Sequence, residues 1–280
     1  MSKLKKALEK ARLSREETPH PEMRTEGEEA AATETKDAAV AMEEAVHPRV
    51  SAEINPTYVH TKIQQIDFQR LAERRIISIH HCNAVSDRFK LLRTQVLSLL
   101  REHESNCILI ASANRKEGRT TTAINLAVSM AQQLDNTVLL VDSDFKAPAI
   151  QQVLGISAEH GLSDCLLGKA AVEDILINPG INRLVVLPGG RPIPNSAEIL
   201  SAPRAETIFR ELKERYADRY IIFDSPPLLA SADGLILSDY ADAILLVVEA
   251  ERTTRNDLIR TRDLLGGKPV IGTIFTKVRQ

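Results

Sequence analysis

Six short apolar runs, each followed by a segment long enough for a helix, constrain this chain more than any other feature. They are CILIAS at 107–112, TVLLVD at 137–142, RLVVLP at 183–188, YIIFD at 220–224, AILLVVE at 243–249 and PVIGTIF at 269–275. The runs are apolar on both faces, so each strand is expected to be covered on both sides. The intervening segments are too long for hairpins and fit crossover helices, which makes the strands parallel. The segment 87–100 carries apolar residues at 89, 92, 96, 99 and 100, a helical period. The predicted fold class is α/β, a doubly wound parallel sheet in one domain over 85–280.

Upstream the composition changes twice. Residues 1–14 place Leu4, Leu8 and Ala11 on one helical stripe among Lys3, Lys5, Lys6, Lys10 and Arg12. That pattern fits a solvated basic amphipathic helix, or one that docks on a partner or an anionic membrane surface. Residues 15–46 hold ten acids, three Lys or Arg and no aromatic residue. Such a stretch buries too little apolar surface to offset its ordering entropy, and a disordered acidic linker is expected. Residues 47–84 scatter Val50, Ile54, Tyr58, Ile63, Ile66 and Phe68 among polar residues, and are expected to form an N-terminal arm over the domain.

Charge and cysteine content narrow the function. Lys and Arg number 36 against 38 Asp and Glu, a formal net charge of -2, so no nucleic-acid partner is expected. Cys82, Cys107 and Cys165 are far apart with no CxxC spacing, which excludes a disulfide framework and a Cys-rich zinc module. The longest purely apolar run, 243–248, is far shorter than the roughly 18 residues of a membrane span. The charged first residues lack the apolar core of a signal peptide. A cytoplasmic location follows, with membrane contact peripheral at most or through a partner.

In sheets of this kind the ligand sits beyond the carboxyl ends of the strands. There the first run leads into Ser112-Ala113-Asn114-Arg115-Lys116-Glu117-Gly118-Arg119-Thr120-Thr121-Thr122 and then a helix. A helix N-terminus after such a loop presents free N–H groups and a positive dipole end to phosphate. Gly118 lets the backbone approach closely, and Thr120 is placed to ligate Mg²⁺. Against the P-loop pattern GxxxxGK[ST], Ala113 stands at the first Gly and Arg119 at the Lys. Arg119 keeps the charge as a planar fork rather than a compact ammonium. Arg115 and Lys116 put bulky cations where small residues would let phosphate nestle. Taken alone, the loop also fits an ordinary β–α turn.

Two further strand ends are acidic: Asp142 and Asp144 close one, Asp224 another. All emerge on the edge that carries the loop, where carboxylates hold Mg²⁺ directly or through water, or orient a nucleophile. One Asp after a strand is most often a helix cap. A phosphate-type loop and two acidic strand ends on one edge argue against caps alone.

With these motifs in place, the segment 85–280 resembles the bacterial tyrosine autokinases of polysaccharide assembly. These are deviant P-loop ATPases, grouped with the division-site and plasmid-partition ATPases. LLVDSDFKAP is similar to the second acidic motif of the family, with Lys146 where Arg is usual, and YIIFDSPP to the third. Leu187-Pro188-Gly189-Gly190, Pro194 to Leu200 (PNSAEIL) and Ser231-Ala232-Asp233-Gly234 also fit. The resemblance implies a P-loop fold, ATP and Mg²⁺ as cofactors, and transfer of phosphoryl to a tyrosine hydroxyl in exopolysaccharide synthesis or export. It assigns Glu117, Gly118, Arg119, Thr120, Thr121 and Thr276 to nucleotide binding. Thr120, Asp142 and Asp224 fall to the metal, and Arg119, Asp142 and Asp144 to catalysis.

The family's ExxRxxR helix motif, which builds rings, reads Asp87-x-x-Lys90-x-x-Arg93 here and implies a homo-oligomer. The implied partner is a membrane chain-length regulator, a polysaccharide co-polymerase, recruiting the chain to the inner face of the plasma membrane. Departures from the pattern are Arg119 for Lys, Arg115-Lys116 for Pro-Gly, Thr276 for the Asn near adenine, and the absence of a tyrosine cluster at the end of the sequence. Tyr216, Tyr220 and Tyr240 are expected to pack in or beside regular elements, leaving Tyr58 in the flexible-looking region. These departures favour a second reading, a non-catalytic pseudokinase adaptor. A partition-type positioning ATPase ranks third, because Asn114 stands where that group carries an extra Lys.

Overall fold

The computed structural model describes residues 56, 61–79, 84–215 and 218–279. The basic helix expected at 1–14, the acidic linker at 15–46, Tyr58 and Tyr216 lie outside the described residues. The six apolar runs form the strands β2 (Cys107–Ser112), β3 (Thr137–Asp142), β5 (Leu184–Leu187), β6 (Arg219–Asp224), β7 (Ala243–Glu249) and β8 (Val270–Thr276). All six are parallel, in the order β5-β3-β6-β2-β7-β8. The order reverses across β2, so chain-adjacent strands separate and a crevice opens at the carboxyl edge.

Two elements were not expected. Strands β1 (Lys62–Ile63) and β4 (Ile177–Asn178) extend the sheet beyond β5, and β4 pairs with β5 antiparallel. Two-residue strands carry no apolar run, so the hydrophobic pattern does not announce them. The end strand β8 also departs from expectation. Val270 is 42% and Phe275 63% exposed, because β8 has a strand on one side only.

Side chains alternate between two cores. Ile108 and Ile110 of β2 join Val138 and Leu140 of β3 in one. Cys107, Leu109 and Ala111 join Leu139, Val141, Ile221 and Phe223 in the other. That alternation explains why the strands read as unbroken apolar runs. The first core is covered by α1 (Phe68–Glu73), α2 (Ala84–Glu102) and α3 (Arg119–Ala131). The second is covered in part by α8 (Pro203–Glu214) and α9 (Asp233–Tyr240). The Phe209 ring of α8 meets Phe223 edge-on at 5.5 Å, and the Tyr240 hydroxyl donates to the Leu200 carbonyl at 3.0 Å. Tyr240 is therefore a packing residue, as expected. Between α1 and α9 the chain also forms α4 (Ile150–Leu154), α5 (Leu162–Leu166), α6 (Val172–Ile175) and α7 (Ser196–Leu200). Among the described residues no helix is long and apolar enough to cross a membrane.

Residues 61–79 lie against α3. Asp67 caps α1, accepting from the Gln69 and Arg70 N–H groups, and Leu71 and Ile76 are buried in the first core. The Asn125 amide of α3 fixes the segment's path. Its oxygen accepts from Ile77 N and Ser78 N, and its nitrogen donates to the Arg75 and Thr121 carbonyls.

Candidate functional site

The loop after β2 closes on Gly118, which caps α3 at φ +95°, a left-handed conformation that suits glycine. A Cβ there would come within 3.4 Å of Thr276 at the end of β8. Lys116, at the Gly position of the family pattern, also sits left-handed, at φ 66°. An L side chain in that region costs about 1 kcal/mol, so the surroundings must hold the loop. Glu117 supplies much of that support: its buried carboxylate accepts from Asn114 N at 3.0 Å and from the Thr253 hydroxyl at 2.6 Å. The Thr276 hydroxyl donates to Glu117 O at 2.6 Å, and Lys277 Nζ donates to Lys116 O at 2.7 Å while pairing with Glu249. The ends of β7 and β8 thus brace the loop from segments far away in sequence.

Arg119, first residue of α3, turns its guanidinium across the edge of the sheet. Nη1 donates to Ser112 Oγ at 2.8 Å, Nη2 to Asp144 Oδ2 at 3.0 Å and Nε to Asp224 Oδ1 at 3.3 Å. All of these groups are buried. A Lys ammonium offers one point of charge and lacks the fork that spans three partners.

Asp142 and Asp224 sit directly opposite each other on neighbouring strands. Asp142 Oδ2 accepts from Ala149 N at 2.8 Å and Ile150 N at 2.9 Å, so it caps α4, while Oδ1 accepts from Asp144 N. Asp144 Oδ1 accepts from Lys146 N and Ala147 N. Burial, reinforced by the charge of Asp224 and opposed by those backbone N–H groups, pushes Asp142 up to about 8. Burial also pushes Asp224 up, to about 6, against the charge of Arg119 and the neighbouring Thr120 hydroxyl. Gly189 closes the cluster: a Cβ there would fall 3.1 Å from the Asp142 carboxyl carbon. Nearby, Ser196 Oγ donates to the buried Asp233 at 2.6 Å, joining two of the family-like segments.

The raised pKa values have a consequence for stability. Both carboxyls titrate near 3.8 without the fold, so the unfolded chain releases these protons first as pH rises. Their contribution is complete below that value and is lost as pH climbs through about 6 for Asp224 and about 8 for Asp142. In Mg²⁺-free buffer the melting temperature is therefore expected to fall between pH 6 and pH 8, and Asp142→Asn to flatten that fall. An equal slope in wild type and variant would show that Asp142 does not titrate in this range.

The residues expected at the metal can be tested on one orphan atom. Oδ2 of Asp224 is buried without a hydrogen-bond partner, and Thr120 stands beside it. Among the described residues no group of three His, Cys, Asp or Glu could hold an ion by itself. A hydroxyl and one or two carboxylates fit Mg²⁺, which keeps several waters and shares phosphate oxygens.

Beside the loop lies a cavity of about 460 Å³, walled by Gly118, Thr121 and Thr276 among the expected residues and by Arg75, Arg88 and Phe89 among the unexpected ones. The fold thus brings Arg119, Thr120, Asp142, Asp144 and Asp224 together, with Gly118, Thr121 and Thr276 next to them. The Glu117 carboxylate is turned into the loop. The helix triad is split: Asp87 pairs with Lys90 at 2.8 Å on the surface, while Arg93 Nη1 donates to Ser129 O at 2.7 Å and burial lowers its pKa. The bracing residues Thr253 and Lys277 have no motif of their own and meet the loop only through the fold.

The family model of an AAA domain matches residues 107–261. The tyrosine-protein kinase YwqD of Bacillus subtilis is 31% identical over 194 residues, which span 69% of this chain and 81% of YwqD. The tyrosine-protein kinase CpsD of Streptococcus agalactiae is 29% identical over 180 residues, 63% of this chain and 76% of its own. Among solved structures, the VpsO kinase domain superposes with a TM-score of 0.61 at 29% identity, over 70% of this chain and 97% of that domain.

Proposed function

The chain belongs to the bacterial tyrosine-kinase family of P-loop ATPases, and on that premise we propose that it binds Mg²⁺-ATP at this site and transfers the γ-phosphoryl to a tyrosine hydroxyl. The observation that carries the reading is the convergence of Arg119, Thr120, Asp142, Asp144 and Asp224 at the N-terminus of α3. The triphosphate lies along the loop, on the first N–H groups of α3 and its positive dipole end. Thr120 and Asp224 would hold Mg²⁺, which when bound would supply positive charge against the phosphate oxygens. Arg119 swings part of its fork from Asp144 and Asp224 to the β- and γ-phosphates. Asp142 receives the phenolic proton, a role suited to a carboxylate whose pKa lies near the working pH. Catalysis is otherwise positioning and charge neutralisation.

The biological setting proposed is exopolysaccharide synthesis and export, at the inner face of the plasma membrane, with a membrane chain-length regulator as partner. A homo-oligomer forms through the α2 face bearing Asp87 and Lys90, with Arg93 supporting that helix from inside through Ser129. Reversing both surface charges, Asp87→Lys with Lys90→Glu, is expected to leave larger species intact or re-paired, whereas Asp87→Lys alone shifts sedimentation towards monomer. Identical sedimentation of all forms as monomers removes the oligomer from the reading.

Titration calorimetry tests the site itself. ATP is expected to bind with Mg²⁺ and to weaken without it. Asp224→Asn should lose about tenfold of the Mg²⁺-dependent affinity, with thermal melting recorded in parallel. Equal ATP affinity with and without Mg²⁺ in wild type and variant would take Asp224 out of the metal site. The adaptor reading is favoured by one observation: all three arms of the Arg119 fork already have protein partners. It predicts no phosphotyrosine from any purified form.

A further inference from the structure

The base of a nucleotide offers ring nitrogens that need a hydrogen-bond donor. Asn125 is the side-chain amide on the cavity wall, and its two acceptor and two donor positions are all used within the protein. Thr276 has its hydroxyl committed to Glu117 O. Neither group has a proton left to donate to the ring nitrogens of a base.

Two cations remain. Arg75 and Arg88 both line the cavity, both are exposed, and neither guanidinium has a hydrogen-bond or ion-pair partner among the described residues. Arg75 is also held at φ 64°, a left-handed conformation that costs an L-residue energy, and Asn125 pins its carbonyl there. Phe89 and Phe275 supply apolar wall on the same cavity.

We propose that Arg75 and Arg88 hold the base of a bound purine nucleotide, and that the site takes guanine as well as adenine. The inference rests on the nucleotide reading above. A guanidinium plane stacks on any purine, and its N–H groups bond N7, which both purines carry. Guanine adds O6 as a second acceptor for the same fork, where adenine carries an amino donor. A pyrimidine lacks the N7 edge and offers less surface to stack.

The test is direct titration of the full chain with Mg²⁺-ATP, Mg²⁺-GTP and Mg²⁺-CTP. The variants are Arg75→Gly and Arg88→Gln, singly and together. Glycine at 75 removes the side chain and suits the left-handed backbone, so folding is preserved and melting reports it. ATP and GTP are expected to bind within about fivefold of each other and CTP about tenfold more weakly. The double variant should lose about tenfold for both purines. A preference for ATP over GTP beyond about 100-fold, or purine binding unchanged in the double variant, overturns this inference and leaves the phosphate site standing. Failure of the wild type to bind any of the three triphosphates overturns both.

Discussion

Replacing Arg119 by methionine is expected to destabilise the domain by about 3–5 kcal/mol. Methionine fills similar space but leaves the buried carboxylates of Asp144 and Asp224 without their cation, and Ser112 Oγ without its donor. The loss is a large share of the roughly 5–15 kcal/mol that holds a domain together. It should shrink at acid pH, because protonation neutralises the stranded Asp224, which burial already raises. Asp224→Asn placed in the methionine background should recover part of the loss, because it removes one uncompensated charge. Urea midpoints for wild type and both variants at pH 5.5 and 7.5 measure all three effects. Changes within about 0.5 kcal/mol, the range of ordinary surface substitutions, would mean that the fork does not neutralise the cluster.

The second large effect is kinetic. Arg119→Lys is expected to raise phosphoryl transfer by up to about 100-fold, the scale set by a displacement of about 1 Å at a reacting centre. The physical reason is the competition visible around the fork. Arginine is anchored sideways at three points, on Ser112, Asp144 and Asp224. Lysine gives up that anchorage and reaches the β- and γ-phosphates as a single charge. Affinity for ATP should change less than the rate, because the loop N–H groups and the cavity bind the ground state in either form.

How much of this was legible in the sequence depends on range. Five of the six strands are buried on both faces and β8 keeps an apolar run at the edge, so the runs locate them within a residue or two, and the helix over 87–100 needed only extension to Ala84–Glu102. Strands β1 and β4 and the antiparallel step at β5 were not legible, because two residues carry no period. The site residues were legible one by one, as acids and a cation at strand and helix ends. Their mutual bonding was not. Nothing local tells that Arg119 clasps Asp144 and Asp224, or that the Glu117 carboxylate faces inward to Thr253, 136 residues away. Arg93 teaches the same lesson. Spacing at i, i+3 and i+6 puts it near Asp87 and Lys90, but only the packing of α2 on α3 decides that its guanidinium turns to Ser129. Arg75 was hidden further still, since a positive φ outside glycine has no sequence signal.

The central claim is that Arg119 occupies the phosphate-binding position of a working phosphoryl-transfer site. Single-turnover transfer from Mg²⁺-[γ-³²P]ATP to protein tyrosine, in wild type and Arg119→Lys at saturating nucleotide, tests it most directly. The account predicts a slow but measurable rate for the wild type, abolished by chelating Mg²⁺, and a faster rate for the lysine variant at similar affinity. No labelled phosphotyrosine from either form, with ATP bound by neither, would contradict it.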